Sequence, residues 1–182
     1  MASMSLPAHP HCFIDNRYEI EIDAQGMRDL TVSWRFDEMF SESIFADYDA
    51  NQNGRFEENE IHDIYNEAFV ALKDYNYFLD IEVDGNYFSV ESVSDFAPSI
   101  DGDCLIYRFH VALQVDISSA RRSVSIMCYD PTGYILIESS PQLGISAPSG
   151  VDYSADIAER MVEFEAFGML PVDALIITLE AN

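Results

Sequence analysis

Residues 49–60 read Asp49-Ala50-Asn51-Gln52-Asn53-Gly54-Arg55-Phe56-Glu57-Glu58-Asn59-Glu60. Oxygen-bearing side chains stand at positions 1, 3, 5, 9 and 12 of this stretch. Gly54 at position 6 permits the positive φ of a sharp turn, and Phe56 at position 8 can attach the turn to a core. Oxygens spaced in this way around a forced turn can converge on one point, which predicts a site for a hard cation.

The spacing matches the twelve-residue calcium loop of an EF-hand at every diagnostic position. In such a loop Arg55 would ligate through its backbone carbonyl, Glu57 through a water, and Glu60 through both carboxylate oxygens. The alternative is an Asn- and Gly-rich surface turn in an acidic protein. Since only Asp49 and Glu60 are charged direct ligands, modest calcium affinity is expected. The predicted calcium ligands are Asp49, Asn51, Asn53, Arg55, Glu57 and Glu60.

Both flanks of the loop show apolar residues at helical spacing, as a calcium loop between two helices requires. The entering stripe consists of Phe36, Met39, Phe40, Ile44 and Phe45. The exiting stripe consists of Ile61, Ile64, Tyr65, Ala68, Phe69 and Leu72. Because a lone helix pair must rest on something, the exiting stripe is predicted to face a core.

Outside the helices the chain alternates with period two, which is typical of half-buried strands. A hairpin is predicted over residues 11–36, and further strands over 77–83, 87–93, 105–115, 124–128, 134–137 and 174–179. Residues 96–102 are predicted as a loop, and residues 157–164 as a short helix. The predicted fold class is α+β: a mostly antiparallel β-sheet or sandwich with one inserted EF-hand helix-loop-helix at about 37–75. Residues 9–182 then form one domain, and residues 1–8 are interpreted as the remnant of a leader or of an expression tag.

Composition excludes some functions. The chain has 182 residues, with 33 acidic against 9 basic residues and a net charge of −24. Such a surface repels phosphate backbones and anionic membranes, so no nucleic-acid binding is expected, whereas metal ions and cationic partners suit it. No apolar run approaches the ~20 residues of a membrane span, so a membrane-spanning protein is not expected. The 3 cysteines allow one disulfide, but buried free thiols are the preferred interpretation.

Several further stretches resemble one known family. They are His9-Pro10-His11-Cys12-Phe13-Ile14-Asp15, Trp34-Arg35-Phe36-Asp37-Glu38, Tyr75-Asn76-Tyr77-Phe78, Val83-Asp84-Gly85 and Tyr129-Asp130-Pro131-Thr132-Gly133-Tyr134. Over residues 9–138 the chain resembles the domain of unknown function 1007 family, described as periplasmic components of uncharacterised ABC-type transport systems. Where the family has Trp after H-P-H-x, this chain has Phe13. The resemblance implies export, an EF-hand-like loop and a link to transition-metal transport. It implies no established activity.

His9 and His11 form a second candidate site. In an extended backbone residues i and i+2 project to the same side, so both imidazoles could bind one borderline metal such as Zn, Ni or Co. The alternative is a solvated terminus in which the two histidines have no common role. His62 and His110 are interpreted as surface histidines.

No nucleophile, phosphate-loop or dinucleotide motif is present, so the protein is not expected to be an enzyme. The loop predicts a calcium-binding protein, and the family resemblance implies that it is exported, in the periplasm. It would act as an accessory solute-binding or transition-metal-handling component of a transport system, with an inner-membrane transporter as a partner. The alternative is a structural or adhesion-type module that uses calcium only to stabilise its fold.

Overall fold

The alternating N-terminal stretch forms a long hairpin in the computed structural model, which describes residues 11–164 and 167–181. Strand β1 (Cys12–Asp23) buries every second residue, and it pairs antiparallel with β2 (Gly26–Phe36). Two helices follow, α1 (Glu38–Tyr48) and α2 (Glu58–Ile64). The chain then makes one π turn (Tyr65–Phe69) and a 3₁₀ segment (Val70–Phe78).

The rest of the described chain is β-structure. Its strands are β3 (Leu79–Val83), β4 (Asn86–Phe88), β5 (Ser94–Asp101), β6 (Cys104–Val111), β7 (Val115–Asp116), β8 (Arg122–Cys128), β9 (Ile135–Ser139), β10 (Gly144–Ser146), β11 (Val151–Phe164) and β12 (Gly168–Ala181). Fold class is therefore mostly antiparallel β-sheet with few helices, as the sequence predicts.

The described strands form two sheets. In the large sheet the order is β10-β1-β2-β6-β5, with β9 on the same edge of β1 as β10 and with β7 beside β2. In the small sheet the order is β11-β12-β8-β3-β4. Strands β9 and β10 run parallel to β1, while the other described pairs are antiparallel. A large core built from residues of both sheets lies between them, beside a smaller cluster of Met127, Phe164, Val172 and Ala174, so the architecture is a β-sandwich.

Aromatic residues of the helical segment pack into that core. Phe69 is fully buried, and its ring stacks on Phe96 of β5 with centroids 4.1 Å apart. The same ring contacts Phe109 at 5.2 Å and Trp34 at 6.4 Å. Ile64 and Phe69 are both buried although they are five positions apart. A π turn has more residues per turn than an α-helix, so residues five positions apart lie nearly on the same face. The exiting stripe therefore faces the core, as its spacing predicts.

Turn chemistry and buried thiols complete the frame. The β3–β4 hairpin turns at Asp84-Gly85, and the Asp84 carboxylate accepts a backbone hydrogen bond from Ser123 and one from the Arg122 guanidinium.

All 3 cysteines are free and buried, as expected from the sequence. Among the described residues, no helix has the length and apolar character needed to cross a bilayer.

Some element predictions are wrong, and edge strands explain two of them. Residues 96–101 of the predicted loop belong to β5, which tolerates Pro98 because it is the last strand of the large sheet. Residues 157–164 belong to β11, an outer strand that is exposed on both faces for much of its length and so lacks the period-two signal. Strand β4 ends at Phe88 rather than 93, and the long strand predicted over 105–115 breaks after Val111.

Candidate metal centre

The segment between α1 and α2 lies where the two helices meet the large sheet. Helix α1 starts with Asp37 as its N-cap, and Ser41 of its first turns accepts a hydrogen bond from the backbone N–H of Leu105 in β6. At the other end, the backbone N–H of Asp49 donates to the Phe45 carbonyl and closes the last turn. Residues 49–57 therefore leave α1 from a fixed point.

Two buried carboxylates stand at the ends of this loop. Asp49 is 7% exposed and Glu60 is 4% exposed. Asp49 accepts backbone hydrogen bonds from Asn53 at 3.1 Å and Gly54 at 2.9 Å. Glu60 accepts one from Ala50 at 3.1 Å through Oε1 and one from Glu57 at 2.9 Å through Oε2. The Glu60 bond to Ala50, the residue after Asp49, holds the two ends of the loop together.

Each of these carboxylates retains acceptor capacity. A carboxylate offers about four lone-pair sites, and Asp49 and Glu60 each use two of them on described partners. Burying two such groups without further partners is costly, whereas a divalent cation would use the remaining lone pairs.

The middle of the loop gathers three more polar side chains. The amides of Asn51 and Asn53 both donate to the carboxylate of Glu57, and each amide oxygen accepts one backbone N–H. Hydrogen bonding with the Glu60 side chain, and then with the Asn53 and Asn51 amides, holds the pKa of Glu57 below its ordinary value. The side chains at positions 3, 5 and 9 thus meet at one place, beside the carboxylate at position 12.

Backbone conformation fits the same arrangement. Gly54 has φ +76°, and Gln52 is left-handed with φ 55°. Arg55 takes part through its backbone N–H, which donates to the Asn53 amide oxygen, and its side chain forms none of the described ion pairs. Phe56 lies 6.2 Å from the Phe45 ring, so the loop is attached to helix α1 through an apolar contact.

The chemistry of this donor set suits calcium. Over residues 11–164 and 167–181, no three His, Cys, Asp or Glu side chains are grouped to hold a metal. The loop instead offers two buried carboxylates, two amide oxygens and a backbone carbonyl, which is the mixture that hard calcium accepts and that zinc does not favour. The residues present therefore fit a calcium ion better than a transition metal.

The histidine candidates lie apart from this loop. His9 is outside the described residues. His11 is exposed, its ring lies 4.9 Å from that of Tyr134, and its backbone N–H donates to the Tyr134 carbonyl. His62 is exposed on α2, where it contacts Asn66.

His110 belongs to a polar network that sequence reasoning missed. Its Nδ1 lies 2.7 Å from the Asp29 carboxylate, and its Nε2 lies 3.4 Å from the Thr31 hydroxyl and 3.3 Å from Arg108. Thr31 pairs with Glu19 of β1, eight residues from His11, which is about 26 Å along a strand. His110 therefore does not complete a metal site with His9 and His11. Its partners could have been found only from the strand register, which the sequence does not give.

Comparisons with known proteins place the chain in its context. A family model described as "Protein of unknown function (DUF1007)" matches residues 1–155. An uncharacterized protein of Haemophilus influenzae is 25% identical over 154 residues, which cover 84% of this chain and 70% of the relative. An "Uncharacterized 15.5 kDa protein in trpE 3'region" of Spirochaeta aurantia is 30% identical over 89 residues, covering 49% of this chain and 63% of that protein.

Proposed function

We propose that this protein, which belongs to the DUF1007 family of proteins of unknown function, binds one calcium ion in its Asp49–Glu60 loop and serves as a binding protein rather than an enzyme. The observation that carries the proposal is the pair of buried carboxylates, Asp49 and Glu60, each with unused lone pairs at opposite ends of one hydrogen-bonded loop. Calcium would neutralise both charges and take the remaining ligands from Asn51, Asn53 and the Arg55 carbonyl.

In this proposal calcium stabilises the fold and does not switch it. The exiting segment is anchored by Phe69, which is buried among rings from both β5 and β6. Sensor EF-hands open a Met-rich groove, whereas the entering helix here has Met39 alone, exposed, and the stripe of the exiting helix has aromatic and branched residues. This packing favours a module that uses calcium to hold its helix pair on the sandwich.

The wider role that we propose is that of an exported, periplasmic accessory component of a transport system, handling a solute or a transition metal beside an inner-membrane transporter. Support comes from the resemblance of the His9-Pro10-His11 opening and the Tyr129-Asp130-Pro131 segment to the family's sequences. In this role His9 and His11 would bind a transition metal such as Zn, Ni or Co separately from calcium.

Calcium titration calorimetry of untagged protein tests the first proposal. We expect one site per chain with a Kd of about 10⁻⁴–10⁻³ M, because few of the ligands are charged. Asp49→Asn should abolish the binding heat. Asp47→Asn, at an exposed residue two positions earlier with the same charge change, should leave it intact. Absence of calcium heat in the unsubstituted protein at millimolar calcium would refute the proposal.

Zinc titration of the same protein tests the second site. A His9→Ala, His11→Ala protein should lose zinc binding and keep calcium binding, since imidazole prefers borderline metals and calcium prefers oxygen. Binding of zinc should weaken below about pH 6.5, as the imidazoles must be deprotonated to ligate. Unchanged zinc stoichiometry and affinity in the double variant would contradict this assignment.

A further inference from the structure

A cleft of about 440 Å³ opens between the edges of the two sheets, away from the calcium loop. One wall is the whole of strand β9, and the other is the early part of β12, over residues 170–173. Aromatic side chains of Phe164 and Phe167 close one side. Leu136 and Leu170 are 41% and 39% exposed, so the apolar lining continues onto the surface.

Strand β9 presents a free backbone edge to this cleft. It pairs with β1 on one side, and no other described strand pairs with it. The carbonyl of Tyr134 accepts the His11 N–H, and the N–H of Ser140 donates to the Asn16 carbonyl, so these two backbone groups, both on even-numbered residues, point toward β1. Because backbone groups alternate along a strand, those of residues 135, 137 and 139 point away from β1.

The cavity lies on that unpaired side. Its lining includes Ile137, whose side chain points inward with Ile14, and Leu136, whose side chain points outward with Phe13. A cavity that contacts both the inward and the outward side chains of one strand faces the edge between them. The backbone N–H and C=O groups of Ile137 and Ser139 are therefore directed into the cleft.

A turn before β9 defines where the free edge begins. The Asp130 carboxylate is 2% exposed and accepts hydrogen bonds from the backbone N–H groups of Thr132, Tyr134 and Ile135 and from the Thr132 hydroxyl. It thereby satisfies the Ile135 N–H, which would otherwise be the first unpaired donor of the edge. The segment Tyr129-Asp130-Pro131 thus ends the cleft and leaves the next donors, Ile137 and Ser139, open.

The opposite wall cannot complete a ladder of its own. Strand β12 pairs with β8 only from Ala174 onward, so residues 168–173 are unpaired on the side away from β11. Pro171 in this stretch has no N–H to donate. An incoming strand would accordingly add to β9 and pack its side chains against β12.

The charge of the cleft is one-sided. Three acidic residues, Asp130, Glu138 and Asp173, are among its described lining residues, which include no Lys or Arg. Asp130 is occupied by its turn, while Glu138 is exposed and Asp173 is partly exposed. A free strand edge with apolar pockets and an acidic rim selects an extended chain that alternates apolar and basic residues.

We propose that this cleft binds an extended basic segment of a partner protein, which adds as a strand to the free edge of β9 and places cationic side chains beside Glu138 and Asp173. Backbone hydrogen bonds to Ile137 and Ser139 supply the register. The apolar positions of the segment pack on the inward side, against Ile137 and Val172, and its basic positions lie on the outward side, which Glu138 shares. The site does not depend on the calcium loop, since neither contributes a residue to the other.

The test uses the full chain and a synthetic peptide of alternating lysine and valine, about six residues long to match a five-residue strand. Fluorescence anisotropy should show saturable binding that weakens with added salt, because the rim charges are screened. The peptide in which glutamate replaces lysine should bind at least about tenfold more weakly. Amide hydrogen exchange at Ile137 and Ser139 should slow when the lysine–valine peptide is bound.

Two matched controls separate the backbone ladder from charge alone. A lysine–valine peptide N-methylated at every residue keeps its charge but has no N–H to donate at either edge, and we expect it not to bind. Glu138→Gln with Asp173→Asn should weaken binding about tenfold, whereas Glu91→Gln with Asp95→Asn, exposed residues near β5, should not. The proposal would be overturned if the lysine–valine peptide showed no saturable binding. It would also be overturned if either the methylated peptide or the glutamate peptide bound as tightly as the lysine–valine peptide.

Discussion

Replacing Glu60 by Gln should separate the calcium contribution to folding from the structural one. The substitution keeps the size of the side chain but replaces one carboxylate oxygen by an NH₂ group. In the structure Oε1 and Oε2 each accept a backbone N–H. The NH₂ group of glutamine would therefore lie against one of these N–H groups, and neither of the two can accept a hydrogen bond. At 4% exposure the displaced N–H has little access to water as a substitute.

The magnitude follows from these contacts. A hydrogen bond to a charged group contributes about 1.5–3 kcal/mol, so without calcium Glu60→Gln should lower the free energy of unfolding by about 2 kcal/mol. Calcium binding to the native state adds RT ln(1+[Ca]/Kd), which is about 1.4–2.7 kcal/mol at about 10 mM calcium for a Kd of ~10⁻³–10⁻⁴ M. The difference between the two proteins should therefore widen to about 3–5 kcal/mol when calcium is added.

Urea unfolding with excess chelator and with calcium measures both quantities. Glu58→Gln is the matched control, because Glu58 is exposed in the first turn of α2. This substitution removes the same charge and costs only a small loss of interaction with the helix dipole. The control should keep the full calcium response, and magnesium at the same concentration should give a smaller one, since it demands a tighter octahedral shell. A Glu60→Gln protein stabilised by calcium as much as the unsubstituted one would refute the ligand assignment.

Three further predictions concern the sandwich. Tyr107→Phe should raise the free energy of unfolding by about 1 kcal/mol, and with it the urea midpoint, since the buried Tyr107 hydroxyl has no hydrogen-bond partner among the described residues. A lower midpoint would show that the hydroxyl does have a hydrogen-bond partner. Burial raises the pKa of Cys12 and Cys128 to about 12, so a thiol reagent at about pH 8 should label neither until urea is added, and labelling of native protein would contradict this. The Ser123 N–H and Arg122 hold the pKa of Asp84 below its ordinary value. The stability that this carboxylate contributes is therefore present above its unfolded-state pKa and lost as pH falls through its folded-state pKa. Asp84→Asn should reduce the loss of stability at acid pH, whereas the exposed control Asp156→Asn should not.

The sequence predicts best where one face of an element is buried and its period is undisturbed. Strand β1 alternates between buried and exposed residues over its full length, and the two helices bury Ile44 and Ile64 of their predicted stripes, although Met39 of the first stripe is exposed. The candidate side chains of the loop can be identified from the sequence for a related reason, because their relative positions depend on local turn geometry alone. Asp49 and Glu60 are 11 positions apart, yet a single loop brings them together.

Features that depend on strand order were beyond the sequence. The cleft requires β9 to lie beside β1, more than a hundred positions earlier, and to face β12 from the other sheet. Parallel pairing of β9 with β1 leaves no hairpin turn to mark it. The strand predicted over 174–179 in fact begins at Gly168 and includes Pro171, where the missing pairing on one side makes a lost N–H harmless.

The two acidic motifs of the chain illustrate how similar local chemistry leads to different roles. Asp130 receives four hydrogen-bond donors from its own turn, which is about the full acceptor capacity of a carboxylate, so it has nothing left to offer a cation. Asp49 and Glu60 each receive two, and the Glu60 bond to the Ala50 N–H holds the ends of their loop together. The saturated carboxylate fixes a turn, whereas the half-satisfied pair would gain stability from a further positive partner. This difference in unused lone pairs, rather than the number of acids in so acidic a chain, is the physical reason for proposing a calcium site at residues 49–60 and not at Asp130.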